Sequence, residues 1–495
     1  MSVSDHTVDT VGQTDAADRV EPDVETDVAI SSDRRRLPVP EAPLDLSIPH
    51  RLHVVGVGGP GMSAIAIALA EMGHDVSGSD LRSSPVLDRV RAAGVAVDVG
   101  HDRSNVHGVD AVTASTGVPD RNVELDEARS VGIPVLRRAG MLASICAQAK
   151  SIAVAGTHGK TTTTSMLMLI LAEAGMRPSF VVGGDVSDVG TGAQWTRGEW
   201  LVVEADESDG THLELPLHGS VLTNVDRDHL DLYETFDGVV DAFDRYLAQV
   251  PGPLVVCSDD PVGLRLARRH GATTYGTTGD ADVRVSDIEA VDGIQTFSLV
   301  GHGSIRLPLR GRYNVLNAAG AAAMALELGA DFVHVKGALE RFGGVARRFD
   351  VRGTDGGATF VDDYAHVPTE IAEVLRAASD DPVWSRTIAV FQPNRFHRIA
   401  AQWHEYGSCF DDADLVVLTD IYASGTTPIP GVTGKLIVNA VTETDPTKRV
   451  VWLPERRDLV DFVAAEARDG DVVVSMGCGD IASFPSEVLD ARRRR

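Results

Sequence analysis

Residues 152–164 read Ile-Ala-Val-Ala-Gly156-Thr157-His158-Gly159-Lys160-Thr161-Thr162-Thr163-Thr164. An apolar strand runs into a loop carrying two glycines, and a helix opens at Lys160. A full GxxxxGK[ST] pattern would put its first glycine at 154, where Val154 stands. The core GTHGKTTT still makes a phosphate cradle. Gly156 and Gly159 free the backbone N–H groups, Lys160 is placed to reach β- and γ-phosphates, and Thr161 offers a hydroxyl to Mg²⁺. Strand–loop–helix units of this kind build parallel sheets with helices on both faces, which makes the fold class α/β.

Moving outward, Leu201-Val-Val-Glu204-Ala-Asp206-Glu207-Ser208-Asp209 is a second apolar strand that ends in carboxylates. Beside the cradle in a parallel sheet, such a strand end can reach its metal, and Glu204 is placed best because it closes the apolar run. Asn224-Val-Asp226-Arg-Asp228-His229-Leu-Asp231 follows a third strand. There His229 is either the ligand of a second metal or one of several polar loop residues. Upstream, His53-Val-Val-Gly56-Val-Gly58-Gly59-Pro-Gly61-Met62-Ser63 holds G-x-G-x-x-G between a strand and a helix, with Asp80 ending the next strand. Glycine lets the backbone approach a pyrophosphate, which the helix N-terminus then favours. The motif alone fits a nicotinamide dinucleotide, a nucleotide sugar, or a tight turn packed for its own sake.

The same alternation recurs to the C-terminus, with strands expected at 359–361, 387–391, 415–419, 450–453 and 471–475. Three consecutive α/β domains follow: a Rossmann-like one over 51–149, a phosphate-loop one over 150–342, and a second Rossmann-like one over 343–495. Residues 1–50 are expected to form a disordered tail. They hold eleven acids and four arginines, a net of 4 − 11 = −7, with no aromatic residue.

Charge narrows the partners. Lys+Arg number 45 and Asp+Glu 72, a net of −27. Such a chain is poorly suited to nonspecific nucleic-acid binding or to an anionic membrane surface. Anionic ligands would need local positive pockets. Cys146, Cys257, Cys409 and Cys478 lie outside CxxC spacing, against a zinc or redox motif. With no apolar run of about 18 residues and no secretory pattern, the expected location is cytoplasmic.

In order along the chain, GVGGPGMS (56–63), SGSD (77–80), GTHGKTTT, EADESD (204–209), NVDRDHLD (224–231), GRYNVLNAAGA (311–321), GVARRFD (344–350), DDYAHVPTE (362–370), FQPNRFHR (391–398), PIPGVTGK (428–435) and SMGCGDI (475–481) resemble the signatures of the Mur ligase family. The resemblance spans about 51–485 and is strongest to the alanine-adding branch. It implies ATP-dependent ligation of L-alanine to the lactyl carboxylate of UDP-N-acetylmuramate through an acyl phosphate. The partners so implied are UDP-N-acetylmuramate, L-alanine and ATP, for a monomer or homodimer with two Mg²⁺ sites that Mn²⁺ can also fill. It assigns the first loop to the UDP-sugar, through Gly56, Gly58, Gly59, Gly61, Met62, Ser63, Asp80, Ser115 and Thr116. Gly156, Thr157, His158, Gly159, Lys160, Thr161 and Thr162 would hold ATP phosphates. Asn314 and Asn317 would contact adenine, Asp363 the ribose, and Arg348 the γ- or acyl-phosphate. Thr161, Glu204 and His229 would ligate metal, while Tyr364, His366, Arg395 and Arg398 would surround the amino acid. Lys160, Arg348 and His366 would be the catalytic groups, with His366 taking the amine proton.

Three positions depart from the family pattern. Val367 and Asn394 stand where histidines are usual, which bears on the acceptor, and Tyr313 replaces a histidine in the adenine segment. The carbamylated lysine of related ligases has no counterpart, since no Lys lies between Lys160 and Lys336. A peptide-attaching relative would differ at the first glycine loop. A nicotinamide oxidoreductase would leave GTHGKTTT unexplained. A binding protein that has lost ligation would not need His366, Arg395 and Arg398.

Overall fold

The computed structural model describes residues 39–494 and contains three sheets in series. The first has strand order Ala96–Val99, Asp75–Asp80, Arg51–Val55, Ala111–Ala114, Val135–Arg137, all parallel. Chain progression reverses between Arg51–Val55 and Ala111–Ala114. At such a switch point the loops diverge and leave a crevice at the strand ends, and the Gly56 loop opens there. The following helix, Pro60–Met72, has proline at its start and stops at Gly73 in a left-handed conformation. It is apolar on most of its faces, because it also packs on the central strands Ser179–Val186 and Thr191–Gln194.

The central sheet has ten strands. Lys150–Ala155, which feeds the phosphate loop, lies between Trp200–Glu204 and Gly219–Leu222, parallel to both. Those two neighbours bring EADESD and NVDRDHLD to the same sheet edge as the loop. The sheet extends beyond the parallel region. Val283–Val291 continues it, and Ile294–Leu299 and Gly303–Leu307 add an antiparallel meander. Helix Lys160–Glu173 packs against Arg312–Glu327, whose run of buried alanines permits the close approach.

In the third sheet the order is Asp350–Asp355, Ala358–Asp363, Asp471–Met476, Arg386–Phe391, Leu415–Leu418, Val450–Trp452. Only the first pair is antiparallel. Asp471–Met476 is buried along its whole length, as a central strand covered on both faces must be.

One boundary needs correction. The expected tail to residue 50 ends earlier, since residues 41–50 pack on the first domain. Leu46 is 5% exposed within its core. The Leu44 amide donates to Ser144 Oγ at 2.8 Å. Glu41 accepts from the Arg137 amide and Nε at 3.0 and 3.2 Å. Acidic composition hid two leucines and a carboxylate with a guanidinium to meet. Residues 1–38 of that expectation lie outside the described residues. Among the described residues, no helix is long and apolar enough to cross a membrane.

Candidate functional site

The phosphate loop owes its shape to two glycines. Gly156 sits at φ +126°, and a Cβ there would lie 2.1 Å from Thr223 Oγ1. Gly159 sits at φ +82°, and its Cβ would lie 2.3 Å from Asn317 Oδ1. Left-handed backbone and contact this close exclude other residues. The loop is locked from the next strand: the His158 amide donates to Asn224 Oδ1 at 2.8 Å, and Thr223 Oγ1 donates to the His158 carbonyl at 2.6 Å. Lys160 is folded inward. Its Nζ donates to the carbonyls of Gly156 (2.6 Å) and Thr157 (3.1 Å) and lies 2.8 Å from Glu207 Oε2. Burial pushes the Glu207 carboxyl up to about 7, with Lys160 opposing it.

Thr161 accepts from Arg348 Nη2 at 3.4 Å, so the second and third domains meet over the loop. Glu204 is raised by burial, against a hydrogen bond from Thr161, and its Oε1 has no partner. His229 adopts φ +55°. Burial lowers its imidazole to about 4, with Asp228 opposing, and its buried Nδ1 is unpartnered. A neutral imidazole and an unsatisfied carboxylate are donors a divalent cation can use. Among the described residues no three His, Cys, Asp or Glu side chains converge into a cage. The donors therefore fit a cation that keeps phosphate oxygens and waters as most of its ligands, as Mg²⁺ does.

A cavity of about 570 Å³ lies beside the loop, lined by His158, Gly159, Asn317, Tyr313, Arg348 and Asp363 among others. Asn314 does not line it. Its Nδ2 donates to the Arg310 carbonyl and its Oδ1 accepts from Asn317, so it stands behind Asn317 and steadies it. That departs from the expected adenine contact: the i, i+3 spacing stacked the two amides on each other. Asp363 likewise uses both oxygens, on the amides of Phe349 and Ala365 at 2.7 Å each. It therefore tethers the Arg348 turn to the Tyr364–His366 turn, and burial raises it to about 6, with Arg348 opposing.

Around the expected amino-acid site, the Tyr364 ring lies 5.0 and 5.2 Å from the guanidinium carbons of Arg347 and Arg348, within cation–π range. Arg398 donates to Asp228 Oδ1 at 2.9 Å and to Asn394 Oδ1 at 3.3 Å. Asn394 is thus buried and orients Arg398, while Val367 is buried at the start of helix Pro368–Ser379. Arg348 and Arg395 make no ion pair among the described residues, in contrast to most arginines of this acidic chain.

At the first loop, the amides of Gly56 and Val57 donate to the Ser79 carbonyl. The Gly58 amide donates to Asp80 Oδ2 at 2.9 Å. Asp80 therefore shapes the loop, while its Oδ1 accepts the Arg82 amide at 3.4 Å. Met62 is 2% exposed, in the core, so only its backbone faces the crevice. Ser115 lies against Gly56, and Thr116 is exposed beside it.

Sequence reasoning missed three charged groups. Arg138 donates to Asp206 (2.7 Å) and Asp209 (2.8 Å) and lies beside Gly61, so it places a guanidinium between the first loop and EADESD. Glu207 holds Lys160. Glu370 joins two histidines: its Oε1 is 3.1 Å from His158 Nδ1, and its Oε2 is 3.0 Å from the His366 amide. His158 Nε2 meets Asp226 at 2.9 Å. Burial alone would lower His158, but the two carboxylates outweigh it and raise it to about 9. Glu207 stood unsingled among the carboxylates that end its strand, and Glu370 is an acid in the first turn after a helix-starting proline, which reads as ordinary capping.

Three family models match the chain: "Mur ligase family, catalytic domain" over 51–150, "Mur ligase middle domain" over 154–325, and "Mur ligase, glutamate ligase domain" over 347–479. A UDP-N-acetylmuramate–L-alanine ligase from Acidothermus cellulolyticus is 44% identical over 465 residues, covering 92% of this chain and 97% of that one. The enzyme of that name from Rubrobacter xylanophilus is 42% identical over 444 residues, covering 89% and 99%. Among solved structures, the UDP-N-acetylmuramate–alanine ligase of Thermotoga maritima superposes with a TM-score of 0.77 at 27% identity, covering 90% and 99%. A murein peptide ligase from Psychrobacter arcticus shares the fold, with a TM-score of 0.68 at 22% identity and coverage of 90% and 98%.

Proposed function

The chain belongs to the Mur ligase family, and we propose that within it the protein joins L-alanine to the lactyl carboxylate of UDP-N-acetylmuramate with ATP as co-substrate, in cytoplasmic peptidoglycan precursor synthesis. The observation that carries this reading is agreement along nearly the whole length with relatives of that activity, at 42–44% identity. The divisions at 149/150 and 342/343 give each substrate its own domain.

UDP-N-acetylmuramate lies on the first crevice, its diphosphate against Gly56–Ser63 and the helix N-terminus, with Asp80, Ser115 and Thr116 around it. ATP lies on Gly156–Thr162, with its base toward Tyr313 and Asn317. On binding, Lys160 leaves Glu207 and turns to the phosphates. Thr161 and Glu204 would hold one Mg²⁺ and His229 a second; such ions neutralise phosphate charge and orient the oxygens. A lactyl carboxylate oxygen attacks the γ-phosphorus, and the bond from that phosphorus to the β–γ bridging oxygen breaks. ADP and an acyl phosphate result. Lys160 and Arg348 stabilise the charge spread over the transferring group.

Alanine enters as an ammonium ion, its carboxylate toward Arg395 and Arg398. His366 Nε2 takes one proton. The amine attacks the acyl carbon, the carbon–oxygen bond to phosphate breaks, and the second amine proton leaves with phosphate. The third domain, held over the loop through Arg348 and Glu370, keeps water from the acyl phosphate.

The test is ADP release across an amino-acid panel with UDP-N-acetylmuramate. Release should need both sugar and amino acid, with alanine ahead of glycine and serine. ADP formed without an acceptor, or faster turnover with glycine or serine, would overturn this assignment. Because Val367 and Asn394 are both buried, alanine is expected to keep its lead.

A further inference from the structure

His366 Nδ1 has two neighbours, the Tyr364 carbonyl at 3.1 Å and Glu370 Oε2 at 3.2 Å. Both are acceptors, so the proton of a neutral ring sits on Nδ1 and the lone pair on Nε2. The same Glu370 oxygen accepts the His366 backbone N–H at 3.0 Å, fixing the turn that carries the ring. The other oxygen meets His158 Nδ1, on the phosphate loop of the neighbouring domain, at 3.1 Å. His158 meets Asp226 through Nε2 at 2.9 Å. A continuous row therefore runs Asp226–His158–Glu370–His366, from the nucleotide domain to the amino-acid site. Glu370 is largely covered within it, its side chain 14% exposed. Burial would raise its carboxyl, but His366 and His158 hold it well below the usual range.

We propose that Glu370 is a positioning residue for the aminolysis step: it holds the Nδ1 proton of His366, so that Nε2 faces the incoming amine as a base. Its grip on His158 sets that ring only while the third domain is docked on the phosphate loop. The inference rests on the ligase reading above. A carboxylate that fixes a histidine tautomer acts through geometry and charge. A helix cap would act through folding alone, and the two roles separate experimentally.

Hydroxylamine is uncharged at neutral pH and traps an acyl phosphate without giving up an ammonium proton. Alanine must lose one. The readout is the ratio of alanine-dependent to hydroxylamine-dependent product, with UDP-N-acetylmuramate and ATP saturating, for the full-length protein and for E370Q and E370D. E370Q should lower that ratio at least about tenfold, short of the roughly 100-fold that losing a general base outright costs at the least. E370D keeps the charge at shorter reach and should fall between. Equal losses with both nucleophiles would overturn the inference and leave Glu370 a structural cap. If E370Q does not fold, the same criterion applies to E370D, where an unchanged ratio overturns it. A full-length protein that makes no ADP with sugar and alanine would refute the ligase assignment itself, and this inference with it.

Discussion

Raising the pH should loosen the third domain from the phosphate loop, with His158 as the group responsible. Its imidazole lies between Asp226 and Glu370, with a side chain 17% exposed, and titrates near 9 instead of the ordinary 6.5. A raised folded value favours the folded, docked arrangement fully below pH 6.5, and that contribution is lost as pH rises through about 9. The interval between the two values corresponds to at most about 3 kcal/mol, and solvent near the ring reduces it to about 2 kcal/mol. The perturbation is His158→Gln, which keeps a polar side chain and removes the proton. Thermal unfolding midpoints of both proteins would be followed from about pH 6.5 to about pH 10. At the low end the unsubstituted protein should melt a few degrees higher, and the gap should close through about pH 9. A gap that stays constant with pH would refute the charged bridge.

Gly159→Ala should raise the KM for ATP at least about tenfold while leaving UDP-sugar affinity within about twofold, because the left-handed backbone costs about 1–2 kcal/mol and the new methyl must displace Asn317 from the loop. Steady-state kinetics with a sugar-binding titration would check it, and an equal effect on both ligands would contradict two separate phosphate sites. Deleting residues 1–38 should leave turnover within about twofold. Deletion through residue 48 also removes buried Leu46 and the Glu41–Arg137 pair, and should cost about 2–3 kcal/mol by the burial of one leucine. Equal melting midpoints for the two truncations would show that this segment does not brace the first domain.

Much of the fold was legible because each glycine loop sits where an apolar strand stops, and that pattern is local. The antiparallel meander over 283–307 was not, since its strands are amphipathic and extend a sheet whose parallel part had already explained the motifs. The site was legible where a residue type has few other uses, as with Lys160 in a lysine-poor chain. It was not legible where a residue acts across domains. Nothing near Arg138 in sequence announces Asp206 and Asp209, and Glu370 sits where a helix wants an acid for its own sake. Asn314 shows the converse. Its i, i+3 spacing from Asn317 puts both on one helix face, yet Asn317 donates to Asn314, which donates to the Arg310 carbonyl, and only Asn317 lines the cavity.

The inward fold of Lys160 also bears on which anions the loop will accept. With Nζ held by two loop carbonyls and by Glu207, the lysine is not a bare cation to a passing ion. Inorganic phosphate, a product of the same reaction, would have to break three contacts and could replace only one or two. A triphosphate long enough to span the loop would meet amides, lysine and Arg348 together. If ATP occupies the loop as proposed above, the resting lysine would act as a threshold that selects for ligand length as well as charge and would shield the loop from the smallest product.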